Sequence, residues 1–334
     1  MTAVDDRADG LLSEAFAERN RNAAMQRRRR RVLAWIVGLS APTALSMVAV
    51  QQMYFAHDEF WSIVLVGSEF CVIAGALVVE YFGLGDSHRR WIRYRLQAEL
   101  LRRDRFLLRA GVGPYLSAED SSAVARNRIA RICGHYGNPL EVLVAEGGHV
   151  WRDELDRQPV RRSRWSTIEE LCTAIARYID ERLRDQIAYF AKGSVYRRAD
   201  EWTELLAKAI LLLTTVVVAL KLATLIEELG QVWESRWLFG LLILGAFSAG
   251  LVALRGLFEP HRLVRSFLMS AQQLRELEGS WDALQQACGE DGSAPVDPAL
   301  EVRFQRLLLE TEAVLAEDFR RWWVVVDPEV PRGG

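Results

Sequence analysis

Lysine is almost missing from this chain. Lys192, Lys208 and Lys221 are the only lysines among 42 Lys and Arg residues. Coding bias explains this more simply than a demand for guanidinium chemistry. Cysteine is sparse as well: Cys71, Cys133, Cys172 and Cys288 stand alone, with no C-x-x-C and no histidine at metal spacing. Neither a disulfide framework nor a zinc site is therefore expected. The histidines, His57, His88, His135, His149 and His261, are scattered. No G-x-S-x-G, paired-acid signature or Gly-rich phosphate loop occurs, and no Ser, Cys or Thr has a visible base partner. The reading is therefore not an enzyme, with no cofactor and no metal. A formal net charge of -2 removes any global electrostatic case for nucleic acid, and no nucleic-acid partner is expected.

Charge is also missing locally. Four windows are nearly free of it, and they organise the rest. Residues 1–31 form a polar and basic N-terminal segment that ends in the arginines Arg27 to Arg31. Abutting an uncharged apolar stretch, these arginines hold that end of a span in the cytoplasm. The stretch starts too late and runs too long for a cleaved signal peptide. Residues 32–84 read as a first transmembrane hairpin. Its first span carries Pro42 among small residues, predicting a kinked and closely packed helix. Its second runs from about Phe60 to Leu84, with Trp61 and Tyr81 near the two interfaces.

Residues 85–165 read as a cytosolic helical region. It opens with the basic helix SHRRWIRYRLQAELLRRDRFLLR and is broken at Gly111-Val112-Gly113-Pro114. Residues 166–257 read as a long cytosolic helix leading into a second hairpin, with spans at about 205–226 and 237–254. Gly245, Ala246 and Gly250 give the last span a tight-packing face. Residues 258–334 form a cytosolic helical C-terminal region, its last helix opening at Asp297-Pro298. The fold class is thus an all-α integral membrane protein: four transmembrane helices as two helical hairpins with long cytosolic helices. Both termini lie in the cytoplasm and the chain is multi-pass in the inner or plasma membrane.

The second long helix is the most patterned piece. Ser166 and Glu169 supply an S-x-x-E capping box. Apolar residues then recur at Ile168, Leu171, Cys172, Ile175, Tyr178, Ile179, Leu183, Ile187 and Phe190, on one helix face that must pack against another. At ~1.5 Å per residue the run through Leu225 would extend about 90 Å, so most of it must project from a ~30 Å hydrocarbon layer. The basic helix after the first hairpin is its expected partner.

The two halves also echo each other. Phe16 matches Tyr189, His88-Arg89 matches His261-Arg262, and EVLVAEGGHVW from Glu141 matches EAVLAEDFRRW from Glu312, at offsets between 171 and 173 residues. The shared residues are common ones, and any single match is compatible with chance. The near-constant offset, with the same order of helix, hairpin and return helix, favours duplication, and Gly147-Gly148 weakens the helical match in the first copy. Repeats related by an axis along the membrane normal are a known membrane architecture.

The segment YIDERLRDQIAYFAKGSVYRRADEW before a hairpin, His261-Arg262 after it and a closing EAVLAEDFRRWW resemble the SMODS and SLOG-associating two-transmembrane effector family, SLATT. The most specific piece is R-L-x-D-Q-x-x-Y at Arg182 to Tyr189. The match spans 170–325 and, more loosely, 15–155, where a second copy lacks R-L-x-D-Q. The resemblance implies a prokaryotic effector of anti-phage conflict systems that perforates the membrane as an oligomer. It also implies a separate nucleotide-producing or nucleotide-sensing partner protein.

Several residues stand out as candidates. Glu69 lies within the second span, where an ionised group costs about 2.5–3.5 kcal/mol on insertion scales. Either it pairs with Lys221 between hairpins or along a pore, or it is protonated while Lys221 snorkels outward. Arg182, Arg184, Asp185 and Gln186 form a candidate cytosolic sensing or partner surface, against the simpler reading of a solvated helix face. Arg89, Arg90 and Arg93, interleaved with Trp91 and Tyr94, suit phosphate-rich ligands, anionic lipid or plain topogenic use. The function expected is a stimulus-gated, membrane-disrupting, pore-forming effector acting as a homo-oligomer in the lipid bilayer. The alternatives are a membrane-anchored helical scaffold and a small housekeeping ion or solute channel.

Overall fold

The computed structural model describes residues 3–55, 58–116, 120–134, 139–145, 151, 155, 165–191, 198, 201, 202, 205, 206, 208, 209, 260–288 and 295–326. The protein is all-helical, and no strand occurs among the described residues. The longer elements are α1 (Ala3–Tyr54), α2 (Glu59–Val78), α3 (Gly85–Ala110), α4 (Ser121–Cys133), α5 (Pro139–Ala145), α6 (Ile168–Tyr178), α7 (Asp185–Ala191), α8 (Pro260–Ala287) and α9 (Pro298–Val326). Single π-helical turns, Val79–Leu84 and Ile179–Arg184, join α2 to α3 and α6 to α7. Three prolines open α5, α8 and α9, at the position where a missing N–H removes no helical bond. Pro42 lies buried inside α1, which continues past it.

The chain divides into two units: residues 1–24, 90–194 and 262–334, and residues 25–89 and 195–261. The first is a helical bundle around one core. Leu12 of α1, Leu96, Leu101 and Leu107 of α3, Leu171 and Ile175 of α6, Leu274 and Trp281 of α8, and Leu308 and Leu315 of α9 are all buried there. Its helix ends follow local chemistry. Asp120 caps α4 by accepting from the N–H groups of Ser122 (2.9 Å) and Ala123 (3.1 Å). Asp297 caps α9 through the N–H of Ala299 (2.9 Å). As the sequence predicts, α3 stops at its glycines: Gly111 and Gly113 take φ of 66° and 60°, a region costly for other residues. A side chain at Gly113 would also meet the Trp151 ring at 3.2 Å.

In the second unit α1 from Met25 and α2 form an antiparallel hairpin. Asp58 caps α2 by accepting from the N–H of Trp61 (3.1 Å). At the other end the Ser87 hydroxyl donates to Gln26 Oε1 (3.2 Å), and a Cβ on Gly83 would meet Leu33 at 3.2 Å. Small residues fill the seam: Ala34, Gly38, Pro42, Ala44 and Ala76 are buried. The large apolar side chains turn the other way, with Phe60, Ile63, Phe70, Leu77 and Phe82 between 60% and 72% exposed. Ser40, Ser46 and Ser68 donate their hydroxyls back to the carbonyls of Val37, Pro42 and Val64. Two helical stretches, Asp5–Val48 and Glu59–Ala110, are long and apolar enough to cross a membrane. The expected third and fourth spans lie outside the described residues, except for exposed helical positions such as Leu205, Leu206 and Lys208.

Candidate functional site

The sequence pattern of α6 carries the eye to its end, and there the bundle holds its most unusual chemistry. The helix cap lies one residue later than expected, and its carboxylate reaches back to the residue before the cap. Thr167, not Ser166, is the N-cap: its Oγ1 accepts from the Glu170 N–H (3.3 Å), and Glu170 Oε2 accepts from the Ser166 N–H (2.8 Å). Trp165 packs edge-on against Phe304 (5.5 Å), which fixes where the chain enters and so which of two overlapping boxes closes.

From Ile179 to Arg184 the hydrogen bonding widens to i→i+5. A π turn holds more residues per turn than an α turn. In a straight α-helix Gln186 would lie about 80° round from Tyr178, because eight residues overshoot two turns of 3.6. The π turn absorbs that drift, so Tyr178, Arg182, Gln186 and Phe190 are all buried on one face.

Arg182, four residues after Tyr178, shares that face by ordinary helical phase and enters the core, with its side chain 1% exposed. Its Nε and Nη2 donate to Glu312 Oε1 (2.9 Å) and Oε2 (2.8 Å) of α9 in a two-pronged pair. Nη1 donates to Glu99 Oε2 of α3 (2.9 Å). The Tyr178 hydroxyl donates to Glu312 Oε1 (3.0 Å), and Arg95 Nη2 lies 2.7 Å from Glu99 Oε1. Two arginines thus balance two glutamates, and the Phe106 ring lies beneath the Arg182 guanidinium (6.0 Å) and edge-on to Tyr178 (5.2 Å).

The electrostatics follow from this geometry. Burial alone would raise the Glu99 carboxyl, yet Arg95, Arg182 and Arg102 together hold it down at about 2. Burial opposes the charge on Arg182, and Glu312 and Glu99 outweigh it, raising its pKa above the ordinary value. Burial and then the Glu312 charge push Tyr178 well above the ordinary phenol. A second buried pair stands nearby: Arg128 donates to both oxygens of Asp104, from Nε (2.7 Å) and Nη2 (2.9 Å). Ser270 donates to Asp318 (2.6 Å), and Trp281 donates to Thr311 (3.0 Å) while stacking on Tyr178 (4.7 Å).

The expected sensing surface is therefore divided. Arg182 and Gln186 are buried and cannot form an accessible partner surface, a correction that follows from the helical phase of Arg182 and from the π turn that directs Gln186 inward. Arg184 and Asp185 are exposed, Arg184 pairing with Asp180 (2.6 Å) and Asp185 with Arg102 of α3 (2.9 Å). Arg89, Arg90 and Arg93 are exposed on α3. Glu69 is half-buried on α2. Lys221, Gly245, Ala246 and Gly250 lie outside the described residues.

The expectation of isolated cysteines is also corrected. Cys172 of α6 and Cys288, just past α8, form a disulfide with Cα atoms 5.8 Å apart. Their 116-residue separation hides the pair from any spacing rule.

The network partners Glu99 and Glu312 were not singled out as site residues from the sequence, and Tyr178 was read only as part of the apolar stripe. The signal that could have found them is phase: Arg182 falls on the stripe of Ile175 and Tyr178, and Glu312 on that of Leu308 and Leu315. No family model, curated protein or solved structure matches this chain.

Proposed function

We propose that this protein is a multi-pass membrane effector of the SLATT type, which disrupts the bilayer as an oligomer when its helical bundle receives a stimulus. One observation carries the reading. α1 begins among the buried core of the first unit and ends in an apolar stretch, and α2, the π turn and α3 run the same course in reverse. Helices built in two such chemistries suit a soluble bundle joined to membrane spans. The outward Phe, Ile and Leu side chains of α2, with Ser40, Ser46 and Ser68 each bonded within its own helix, support lipid as the covering medium.

Four spans with both termini cytoplasmic form part of this proposal, as do a homo-oligomeric pore, a non-catalytic mode of action and a nucleotide-linked partner. The two unit boundaries in the first half, after residues 24 and 89, recur after residues 194 and 261 in the second. This supports the tandem reading. Glu69 is the intramembrane group to test: if it pairs with Lys221, charge reversal at either position abolishes activity and the double reversal restores it.

Induced expression with the genomic neighbours should produce dye influx and loss of membrane potential. An intact barrier under those conditions would leave the protein a membrane-anchored scaffold. Constitutive, stimulus-independent conductance would instead make it a housekeeping channel.

A further inference from the structure

The Cys172–Cys288 bond sits in the unit that the proposed topology puts in the cytosol, where thiols are kept reduced. A bond between these two positions also has mechanical meaning. In the proposed topology α6 precedes the second hairpin in the chain and α8 follows it, so the bond ties together the two helices that flank that hairpin.

Packing holds the pair together independently of the bond. Two turns beyond Cys172, Tyr178 stacks on Trp281, two turns before Cys288. Phe304 closes the cluster against Trp281 (5.8 Å) and Trp165 (5.5 Å). The rings keep the sulfurs adjacent when reduced, so closure requires no refolding. Both cysteines are only half-buried, which leaves small oxidants and reductants a route.

We propose that Cys172 and Cys288 are a reversible redox modification site that clamps the two helices flanking the second hairpin. In the forward step one thiolate attacks hydrogen peroxide, giving a sulfenic acid and hydroxide, which takes a proton to leave as water. The second thiol then displaces the sulfenic hydroxyl as water, so two thiols are oxidised and one peroxide is reduced. In reverse a thioredoxin-class dithiol attacks the disulfide, is itself oxidised and returns both thiols. The inference rests on the cytosolic placement proposed above.

The test uses the full-length protein in intact cells, with Cys71 and Cys133 changed to Ser. Thiols are trapped with acid, labelled with a polymer-tagged maleimide and resolved without reductant. Two adducts are expected in unstressed cells, none after hydrogen peroxide, and two again after recovery. In purified protein peroxide should raise Tm, and Cys172→Ser should remove that rise. A pair that stays oxidised, or stays reduced under peroxide, overturns the clamp. A separate Cys71, Cys133, Cys172 and Cys288 serine variant carrying Gln272→Cys, exposed on α8, reports topology through a membrane-impermeant maleimide. Labelling from outside overturns the topology and the clamp with it. No labelling together with a fixed redox state overturns the clamp alone.

Discussion

Arg182 decides more about this bundle than any apolar residue beside it. Removing one partner of a buried ion network strands the others in low dielectric, at about 3–5 kcal/mol. Arg182→Ala should therefore lower stability by that order, measured by denaturant unfolding in detergent. Replacing its buried centre, with Arg182→Met, Glu99→Gln and Glu312→Gln, should recover most of the loss, because the Arg95 left behind is part-exposed. Arg182→Lys keeps the charge but loses the two-pronged geometry, and should fall between. Acid should act on the same group. The folded Glu99 carboxyl titrates at about 2 against an ordinary 4.5, so its contribution is complete above pH 4.5 and is lost as pH falls toward 2. Trp281, stacked on Tyr178, offers a fluorescence signal for that loss. His88, in the other unit, should respond at higher pH. Burial and Arg30 lower it from 6.5 to about 4, so folding is favoured above pH 6.5 and weakened as pH falls through that window. In His88→Gln this step should vanish from a thermal-melt titration. These charges were hard to read in sequence because hydropathy reports Arg182 as a surface residue whatever its helical phase.

At the scale of the element, most helices were legible. Pro298 after Asp297 and the glycines after Ala110 are start and stop signals with a local mechanism, and the structure uses both. The cap of α6 was displaced by one residue because Ser166-x-x-Glu169 and Thr167-x-x-Glu170 are equally good locally, and a tertiary contact at Trp165 chooses between them. Thr167→Ala should cost about 1 kcal/mol. The π turn was illegible for a different reason. Apolar spacing of three and four cannot reveal a single extra residue that the helix absorbs. That residue makes a sharp prediction. Deleting Asp180, which is exposed, should relax the turn to α-helix and leave Gln186 and Phe190 facing inward. Inserting one Ala at the same place should rotate them by about 100°. Thermal melting should show the insertion to be much more damaging than the deletion.

For the whole molecule, the exposed apolar face of α2 is the dominant fact. Phe60, Ile63 and Phe70 are each more than two-thirds exposed, a mark of a surface that something apolar covers. Alkaline carbonate should leave the protein in the membrane pellet, and Ile63→Lys should reduce insertion. A full release by carbonate would contradict the proposed spans. The apolar windows were plain in the sequence because charge is so thoroughly excluded from them. The discontinuous first unit was not, since its parts are separated in sequence by residues 25–89 and 195–261.

That discontinuity has a consequence for the order of manufacture. Glu312 belongs to the final helix, while Glu99 and Arg182 emerge from the ribosome long before it. Until α9 is made, the nascent bundle holds an arginine with one of its two carboxylates missing. In the proposed topology, translation therefore delivers the apolar segments before the core of the first unit can be completed. A chain ending before Pro298 should insert and yet stay open to protease, whereas the full chain resists it. Arrival of α9 is itself the safeguard on the fold.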